Sequence, residues 1–215
     1  MSELKRTVIV TSVIHFAGKK IAGAANRSAY SPAQRIDQTI KTITSIRQKI
    51  PSATIVMLEL GKEKETGHEL RNLVDKYVYA GDRPLVKWAV NGKHRGFGEA
   101  MGLVVTNKEL ADDADFYFKI SGRYFLTGDF EMDLWQGEFL LARKYDKGIS
   151  TRLYGFPKKM YSRWQNALKK SLPALYLGKS IEDVFPVKFG ADRINEIKQL
   201  GIAGYVGPYG EYLEE

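Results

Sequence analysis

The chain has 215 residues, of which 44% are hydrophobic and 27% are charged, so its size and composition are those of one globular domain. It contains no cysteine, which excludes disulfide scaffolds, thiolate metal sites and cysteine nucleophiles and favours a reducing compartment. No apolar run approaches the roughly 18 residues needed to span a bilayer, and the N-terminal segment lacks the small-residue cleavage site of a signal peptide. We therefore expect a cytoplasmic protein.

The formal net charge of +8 is concentrated in one segment. Nine basic residues and a single acid, Asp146, lie between Leu141 and Lys170, and the rest of the chain is neutral. A cationic patch of this kind attracts anions such as nucleotide diphosphates, acidic glycans, phospholipid headgroups or nucleic acid. A solvated basic helix is the alternative interpretation of the same run.

Strands and helices alternate along the first part of the chain. Residues 7–14 are a β-branched run that is typical of a buried strand. After a long loop, Ser31 and Gln34 form a capping box with Pro32 at the first helical position, and isoleucines recur at helical spacing from 36 to 50. The further predicted elements are strands at 53–60, 77–80 and 115–120 and helices at 68–74 and 98–106. This order predicts a mostly parallel, Rossmann-like α/β sheet flanked by helices.

The second part of the chain is less regular. Its pattern predicts strands at 139–142 and 149–154, a basic amphipathic helix at 159–172 and a short helix or turn from 181. The sequence contains no internal repeat and no linker. We therefore predict a single domain over 1–215, with a nucleotide-binding half at 1–126 and a smaller, acceptor-side catalytic half at 127–215.

The carboxyl ends of the predicted strands are where a ligand should bind, because open parallel sheets bind ligands outside those ends. In this chain they carry hydroxyl and charged side chains that would suit an anion and a ribose. The candidate residues are Thr11, Ser12, Arg27, Glu59, Lys93, His94, Arg95, Ser121 and Arg123.

The order of these segments resembles that of the GT-A-type glycosyltransferases, which transfer a sugar from a nucleotide diphosphate. The resembling segments are RTVIVTSVIH, QRIDQTIKTITSIRQKIP, SATIVMLEL, KHRGFGEAMGLVV, DADFYFKISGRYFL and SIEDVF. KISGRYFL is also similar to uncharacterised bacterial and viral proteins assigned to that superfamily. The resemblance covers most of the chain and implies a GT-A-like fold, a nucleotide-diphospho-sugar donor and a glycan or anionic acceptor.

The resemblance also implies roles for individual residues. Glu59, at the end of the second strand, matches an acid that contacts the base or ribose of the donor. The segment before the middle helix lies near the diphosphate, and its basic residues here are Lys93, His94 and Arg95. A late acidic pair supplies the general base, and here it is Glu182 and Asp183, with Asp183 preferred. Acids that begin a helical turn and complement its dipole are the alternative interpretation of this pair.

The metal-binding Asp-x-Asp pair of the family has no counterpart at the expected place, where this chain reads Ser121-Gly122-Arg123. Asp113 and Asp115 stand at the other end of that strand, and a strand of about six residues would hold them about 20 Å from the diphosphate. Asp129 and Glu131 follow and could reach back. This leaves a manganese or magnesium site open.

A guanidinium can replace the metal. Arg123 could bind two phosphate oxygens with its fork of N–H groups and neutralise charge on a leaving diphosphate. A surface ion pair with Asp129 or Glu131 is the alternative role for this residue.

The basic helix suggests an acceptor site. Trp164 could stack on a sugar ring, and Lys158 and Lys159 could hold an anionic acceptor or a membrane surface. A position in the core is the alternative for Trp164.

Two other functional classes compete with a transferase. A nucleotide or nucleotide-sugar binding domain without catalysis would account for the missing acid pair. A nucleic-acid-binding protein would suit the isoelectric point of about 9.4 and the 12% aromatic content, but the sequence has no recognisable RNA or DNA module. We therefore predict a nucleotide-sugar-dependent glycosyltransferase, of the kind that builds surface polysaccharides, with peripheral membrane association as an open question and no specific nucleic acid partner.

Overall fold

The computed structural model describes residues 4–16, 28–62, 68–94, 96–207 and 210–215. A seven-stranded sheet in the order β3-β2-β1-β4-β7-β6-β8 forms its centre, and three short strands in the order β10-β9-β5 form a second sheet. The strands are β1 Arg6–Ser12, β2 Thr54–Glu59, β3 Lys76–Tyr79, β4 Phe116–Ser121, β5 Tyr124–Leu126, β6 Leu140–Lys144, β7 Ile149–Pro157, β8 Ile194–Glu196, β9 Ile202–Tyr205 and β10 Tyr212–Glu214. The helices are α1 Pro32–Lys49, α2 His68–Arg71, α3 Pro84–Val90, α4 Phe97–Val105, α5 Asn107–Leu110, α6 Tyr161–Tyr176 and α7 Ile181–Phe189.

The central sheet is mostly parallel, as the sequence predicts. β3, β2, β1 and β4 run parallel to one another. β7 pairs antiparallel with both of its neighbours, β4 and β6, and β8 pairs parallel with β6. The expectation of a mixed α/β fold with a mostly parallel sheet is therefore confirmed.

Apolar side chains on both faces of the sheet hold the helices in place. Val8 and Val10 of β1 belong to the cluster that also contains Ile43 and Ile46 of α1, whereas Ile9 between them belongs to the opposite cluster with α3, α4, α6 and α7. This alternation follows from the two-residue period of a strand. A strand with helices on both faces must be apolar throughout, which accounts for the uninterrupted run in β1.

The first long helix begins where the capping box predicts. The Ser31 side chain accepts from the amide of Gln34, and the Gln34 side chain accepts from the amide of Ser31. Together with Pro32 at the first helical position, these bonds satisfy the amide groups that a helix N-terminus leaves open. The amino end of α1 lies at the carboxyl edge of the sheet, where Arg35 donates to the carbonyl of Val13 just after β1.

The strand order creates a cleft beside β1. From β1 the chain first adds β2 and β3 on one side and then returns to add β4 on the other. The strand order therefore reverses between β1 and β4, and open α/β sheets bind ligands at the carboxyl ends of two such strands. Thr11 pairs with Ser121 across that edge, so both hydroxyl residues stand at its mouth.

Several elements of the structure have only weak sequence signals. α3 lies between two predicted elements, with Pro84 at its first turn. β5, β9 and β10 contain only three or four residues each, and such strands form only because distant segments pair.

Within the described ranges, no helix is long and apolar enough to cross a bilayer.

Candidate functional site

A cavity of about 680 Å³ opens at the carboxyl ends of β1 and β4. This volume lies within the range of about 300–1,000 Å³ that small-molecule sites occupy. Both halves of the chain contribute to its wall. Its charged and hydroxyl residues are Thr11, Ser12, Arg35, Lys93, His94, Glu99, Ser121, Arg123, Thr151, Arg152, Lys179, Ser180 and Glu182.

The floor of the cavity contains a buried ion pair. The side chain of Lys119, on β4, is 1% exposed, and its ammonium lies 2.6 Å from Oε1 of Glu99. The same ammonium donates to the carbonyl of Thr151 at 2.8 Å and to the hydroxyl of Ser121 at 3.0 Å. The hydroxyl of Thr11 also donates to Glu99. One network therefore joins β1, α4, β4 and β7 beneath the cavity.

The ion pair holds Glu99 in its charged form. Burial alone would raise the pKa of this carboxyl, but the charge of Lys119 and the hydrogen bonds from Lys119 and Thr11 keep the pKa below its ordinary value. Burial also lowers the pKa of Lys119, against the opposing attraction of Glu99. The side chain of Glu99 is 23% exposed, so its charged oxygens border the cavity while Lys119 lies beneath them.

Two arginines face the cavity near the start of α1. Arg123 follows β4, and its Nε is buried without a hydrogen-bond partner among the described residues. Arg35, in the first turn of α1, donates from Nε to the carbonyl of Val13 at 2.6 Å and from Nη1 to Ser28 at 3.1 Å. Burial and the charge of Arg123 lower the pKa of Arg35 to about 9, so it is still charged at neutral pH. Arg123 lines the cavity, so this open N–H group is available to donate to a ligand oxygen.

A third arginine, Arg152, is held in position by neighbouring side chains. Arg152 of β7 borders the cavity and donates from Nη1 to Glu215 at 2.9 Å and from Nε to Tyr124 at 3.2 Å. The side chain of Glu215 is 4% exposed and also accepts from Ser150 at 2.8 Å. A guanidinium held by several fixed partners loses little conformational entropy when it binds an anion.

The N-terminus of α7 supplies a carboxylate. Ser180 caps this helix by accepting from the amide of Glu182 at 3.2 Å. The carboxylate of Glu182 accepts from the hydroxyls of Thr151, at 3.1 Å, and of Ser180. Glu182 borders the cavity, whereas the side chain of Asp183 is exposed and turned toward Gly148. Glu182, and not the preferred Asp183, is therefore the acid of the pair that lines the cavity.

The structure brings most of the predicted cavity residues together. These are Thr11, Ser12, Lys93, His94, Ser121, Arg123 and Glu182. Arg27 and Arg95 lie outside the described residues.

In the approach to α4, Gly96 has a φ of +74°, and a Cβ there would lie 2.7 Å from a methyl group of Ile181. This glycine thus allows the cavity wall formed by α4 and α7 to close.

Glu59 does not line the cavity. It is 1% exposed, and its Oε1 accepts from the amides of Ile14 at 2.9 Å and Gly61 at 2.6 Å. Burial raises the pKa of its carboxyl, against these hydrogen bonds. The expected contact with a base or ribose is therefore wrong for this structure. Glu59 instead fastens the chain after β1 to the end of β2, beneath the cavity mouth.

The predicted acceptor residues also lie elsewhere. Trp164 is fully buried in the core and donates to the hydroxyl of Tyr154 at 2.9 Å, so its ring cannot stack on a sugar. Lys158 pairs with Asp113 at 2.7 Å, at the amino end of β4, and Lys159 pairs with Glu138 at 2.9 Å. Neither lysine borders the cavity. The structure therefore excludes the stacking role of Trp164, and the acceptor role of Lys158 and Lys159 stays a prediction.

The acids considered for a divalent cation do not fit one. Asp129 and Glu131 are exposed, and neighbouring Gly128 accepts from Lys49, the last residue of α1, at 3.3 Å. That contact places them near the amino edge of the sheet, opposite the cavity. Across the described ranges, no group of three or more potential ligands could hold a metal ion. Of the two acids in the described cavity wall, Glu99 is paired with Lys119, and Glu182 accepts from the hydroxyls of Thr151 and Ser180.

The core position of Trp164 has a measurable consequence. We expect Trp164→Ala to lower the free energy of unfolding by about 3–5 kcal/mol, because a large buried ring and its hydrogen bond are lost. Trp88→Ala, at a ring that is 52% exposed, should cost about 1 kcal/mol. Urea denaturation followed by circular dichroism measures both values. Equal losses in the two variants would contradict the assignment of Trp164 to the core.

Sequence inspection missed several residues of the site. Glu99 and Lys179 stand next to predicted motifs, in the first turn of α4 and directly before the cap of α7. Arg35 could have been found from the sequence, because it lies in the first turn of a helix that starts at the carboxyl edge of the sheet. Lys119 and Arg152 lie inside strands, and nothing in the local pattern shows that their side chains converge.

The fold is similar to those of solved glycosyltransferases. It matches the glycosyltransferase GlyE of Streptococcus pneumoniae TIGR4 with a TM-score of 0.51 and 13% identity over 91% of this chain. It matches the galactosyltransferase LgtC with a TM-score of 0.52 and 9% identity over 88% of this chain. The bifunctional glycosyltransferase WbbM matches with a TM-score of 0.50 and 11% identity over 91% of this chain.

This likeness confirms the predicted GT-A-type fold and, at such low identity, shows the fold alone. The chain spans 46% of the GlyE structure, 72% of LgtC and 39% of WbbM. No protein-family model matches the chain. No curated protein matches it either.

Proposed function

We propose that this protein is a glycosyltransferase that takes a sugar from a nucleotide-diphosphate donor and transfers it to an acceptor hydroxyl. The observation that carries the proposal is the cationic cavity at the junction of β1 and β4, where open α/β sheets bind nucleotides. The similarity in fold to solved glycosyltransferases supports it. The sequence suggests that the acceptor is a glycan or another anionic molecule, and we include this acceptor in the proposal.

The cavity wall suits the diphosphate of such a donor. Arg123, Arg152, Lys93 and Lys179 border it, together with the buried Arg35. Guanidinium groups bind two phosphate oxygens at once, and an enclosed site strengthens each charge interaction. As the bond to the sugar breaks, negative charge grows on the leaving diphosphate, and these fixed cations stabilise it.

Glu182 is the proposed general base. Its carboxylate accepts the proton of the acceptor hydroxyl while the hydroxyl oxygen attacks the anomeric carbon of the sugar. The bond between that carbon and the diphosphate oxygen breaks, and the diphosphate leaves with the bonding electrons on the opposite face. The hydroxyls of Thr151 and Ser180 fix the carboxylate in the cavity wall, which supports its use as a positioned base.

A thermal-shift screen tests whether the cavity binds nucleotides. We expect at least one common nucleoside diphosphate to raise the melting temperature of the full chain, because a ligand that binds only the folded state stabilises it by about 2.7 kcal/mol at a hundred times its dissociation constant. Nucleosides without phosphate serve as the control and should give a smaller shift. If no nucleoside diphosphate or nucleotide sugar changes the melting temperature, the proposal is wrong.

A second candidate is a binding domain without catalysis. The observation that favours it is the absence, within the described ranges, of an acidic cluster that could hold a divalent cation. Assays of donor hydrolysis with and without manganese discriminate between the two functions. Binding without turnover in either condition would favour this second candidate.

A further inference from the structure

The position of Lys119 is unusual for a lysine. Its side chain is almost completely buried, and three acceptors surround its ammonium: Glu99 at 2.6 Å, Thr151 at 2.8 Å and Ser121 at 3.0 Å. An ammonium has three hydrogens to donate, so these contacts use all of them. Lysine is seldom fully buried unless it is paired. The fold thus maintains one fixed positive charge under the carboxyl end of β4.

That place is where the resemblance to GT-A-type glycosyltransferases implies a divalent cation. In this chain the end of β4 reads Ser121-Gly122-Arg123, and Lys119 stands two residues earlier on the same strand. Because side chains of a strand alternate, Lys119 and Ser121 share one face of β4, and Arg123 lies in the turn directly after the strand. Two cations and a hydroxyl therefore lie at a position where carboxylates would be required to bind a metal ion.

The balance of charge around the cavity also disfavours an added metal ion. Lys119 already neutralises Glu99, which leaves Glu182 as the other acid among the described lining residues. The surrounding cations would repel a divalent ion, whereas a nucleoside diphosphate carries several negative charges and complements them. The buried Nε of Arg123, without a partner in the described ranges, provides a donor for such a ligand.

We propose that Lys119, Glu99 and Arg123 form a fixed-charge site for the donor diphosphate that works without a divalent cation. This inference rests on the proposed function. Arg123 contacts the diphosphate directly. Lys119 is a positioning residue: it cancels the charge of Glu99, which would otherwise repel the ligand, and it orients Ser121 at the cavity floor.

Calorimetric titration of the full chain with UDP, GDP, ADP and CDP tests the need for a metal ion. We expect the tightest of these ligands to bind with the same dissociation constant, within about twofold, in EDTA and in millimolar magnesium or manganese. Binding at least tenfold tighter with metal, reversed by EDTA, would overturn the inference and leave the proposed function standing. Failure of every nucleotide to bind in both conditions would reject the proposed function together with the inference.

A double-mutant cycle separates the electrostatic role of Lys119 from a purely structural one. Lys119→Met and Glu99→Gln should each lower the melting temperature, because each leaves a buried charge without its partner. Their effects on binding should have opposite signs. Lys119→Met, which exposes the ligand to an uncompensated carboxylate, should weaken nucleotide binding by about tenfold or more, whereas Glu99→Gln, which removes a negative charge from the cavity wall and keeps Lys119, should tighten it.

The double variant Lys119→Met/Glu99→Gln is the control for folding. With both charges removed, its melting temperature should rise above those of the two single variants, and its affinity should return to within a few-fold of the wild type. A purely structural role predicts instead that both single variants lose affinity in parallel with their stability. That parallel loss, or unchanged affinity in a folded Lys119→Met variant, would overturn the inference.

Discussion

Glu182→Gln is expected to slow sugar transfer by about 10²–10⁴-fold, which is the range for loss of a general base. Glutamine keeps the shape of the side chain, and its single oxygen can still accept from Thr151 or from Ser180, but its amide cannot take the proton of the acceptor hydroxyl. The dissociation constant of the nucleoside diphosphate should remain within about threefold of the wild type, because Glu182 acts on the acceptor. Steady-state rates and calorimetric titration of the same preparation provide the two measurements.

Asp183→Asn is the matched control. It removes a neighbouring carboxylate of α7 that is exposed and turned toward Gly148, and both rate and affinity should be close to those of the wild type. If this variant loses transfer and Glu182→Gln retains it, the assignment of the base is wrong. Loss of nucleotide binding in Glu182→Gln would show instead that the carboxylate belongs to the donor site.

Arg123→Ala is expected to weaken nucleoside diphosphate binding by about 10–100-fold, which corresponds to about 1.5–3 kcal/mol for a hydrogen bond to a charged group. The reason is its open Nε, buried beside the cavity with no partner among the described residues. Arg123→Lys keeps the charge but loses the planar fork, so it should restore only part of the affinity. Calorimetric titration in EDTA measures all three proteins.

The control for this prediction is Arg193→Ala. Arg193 does not line the cavity, and its guanidinium lies 3.8 Å from neighbouring Asp192 on the surface. Its loss should change nucleotide affinity by less than about twofold. If Arg123→Ala folds and binds nucleotides as tightly as the Arg193→Ala control, Arg123 is not part of the donor site.

The sheet and its helices could be predicted because their signals are local. The β-branched runs of β1 and β2, the capping box at Ser31 and the isoleucine period of α1 each depend on residues close together in the chain. The parallel order follows from strand, helix and strand in succession. The short strands β5, β9 and β10 could not be found in this way, because three or four residues form a strand only when a distant partner is present.

Residues of the site could be predicted where they stand at or next to the end of a strand, and Lys93, His94 and Glu182 were assigned from the family resemblance. Thr11, Ser121 and Arg123 were found because the carboxyl ends of parallel strands meet at one edge. Lys119 and Arg152 lie inside strands, and their partners, Glu99 and Glu215, are distant in the chain. Local patterns contain no information about such pairs, since the packing of α4 and of the C-terminal strand brings them together.

The sequence by itself determined the fold class and the edge of the sheet at which the cavity opens, because both depend on short-range periodicity. The cationic run from 141 to 170 did not locate the cavity, since Arg152 is its one basic member among the described lining residues. The tertiary structure alone decided which side chains face the cavity. Neighbouring residues of a helix point about 100° apart, since 3.6 residues make one turn, so the packing of α7 against β7 selects Glu182 over Asp183. In the same way, the packing of α6 buries Trp164 in the core, and the tertiary structure places the ammonium of Lys119 beside Glu99 under the cavity.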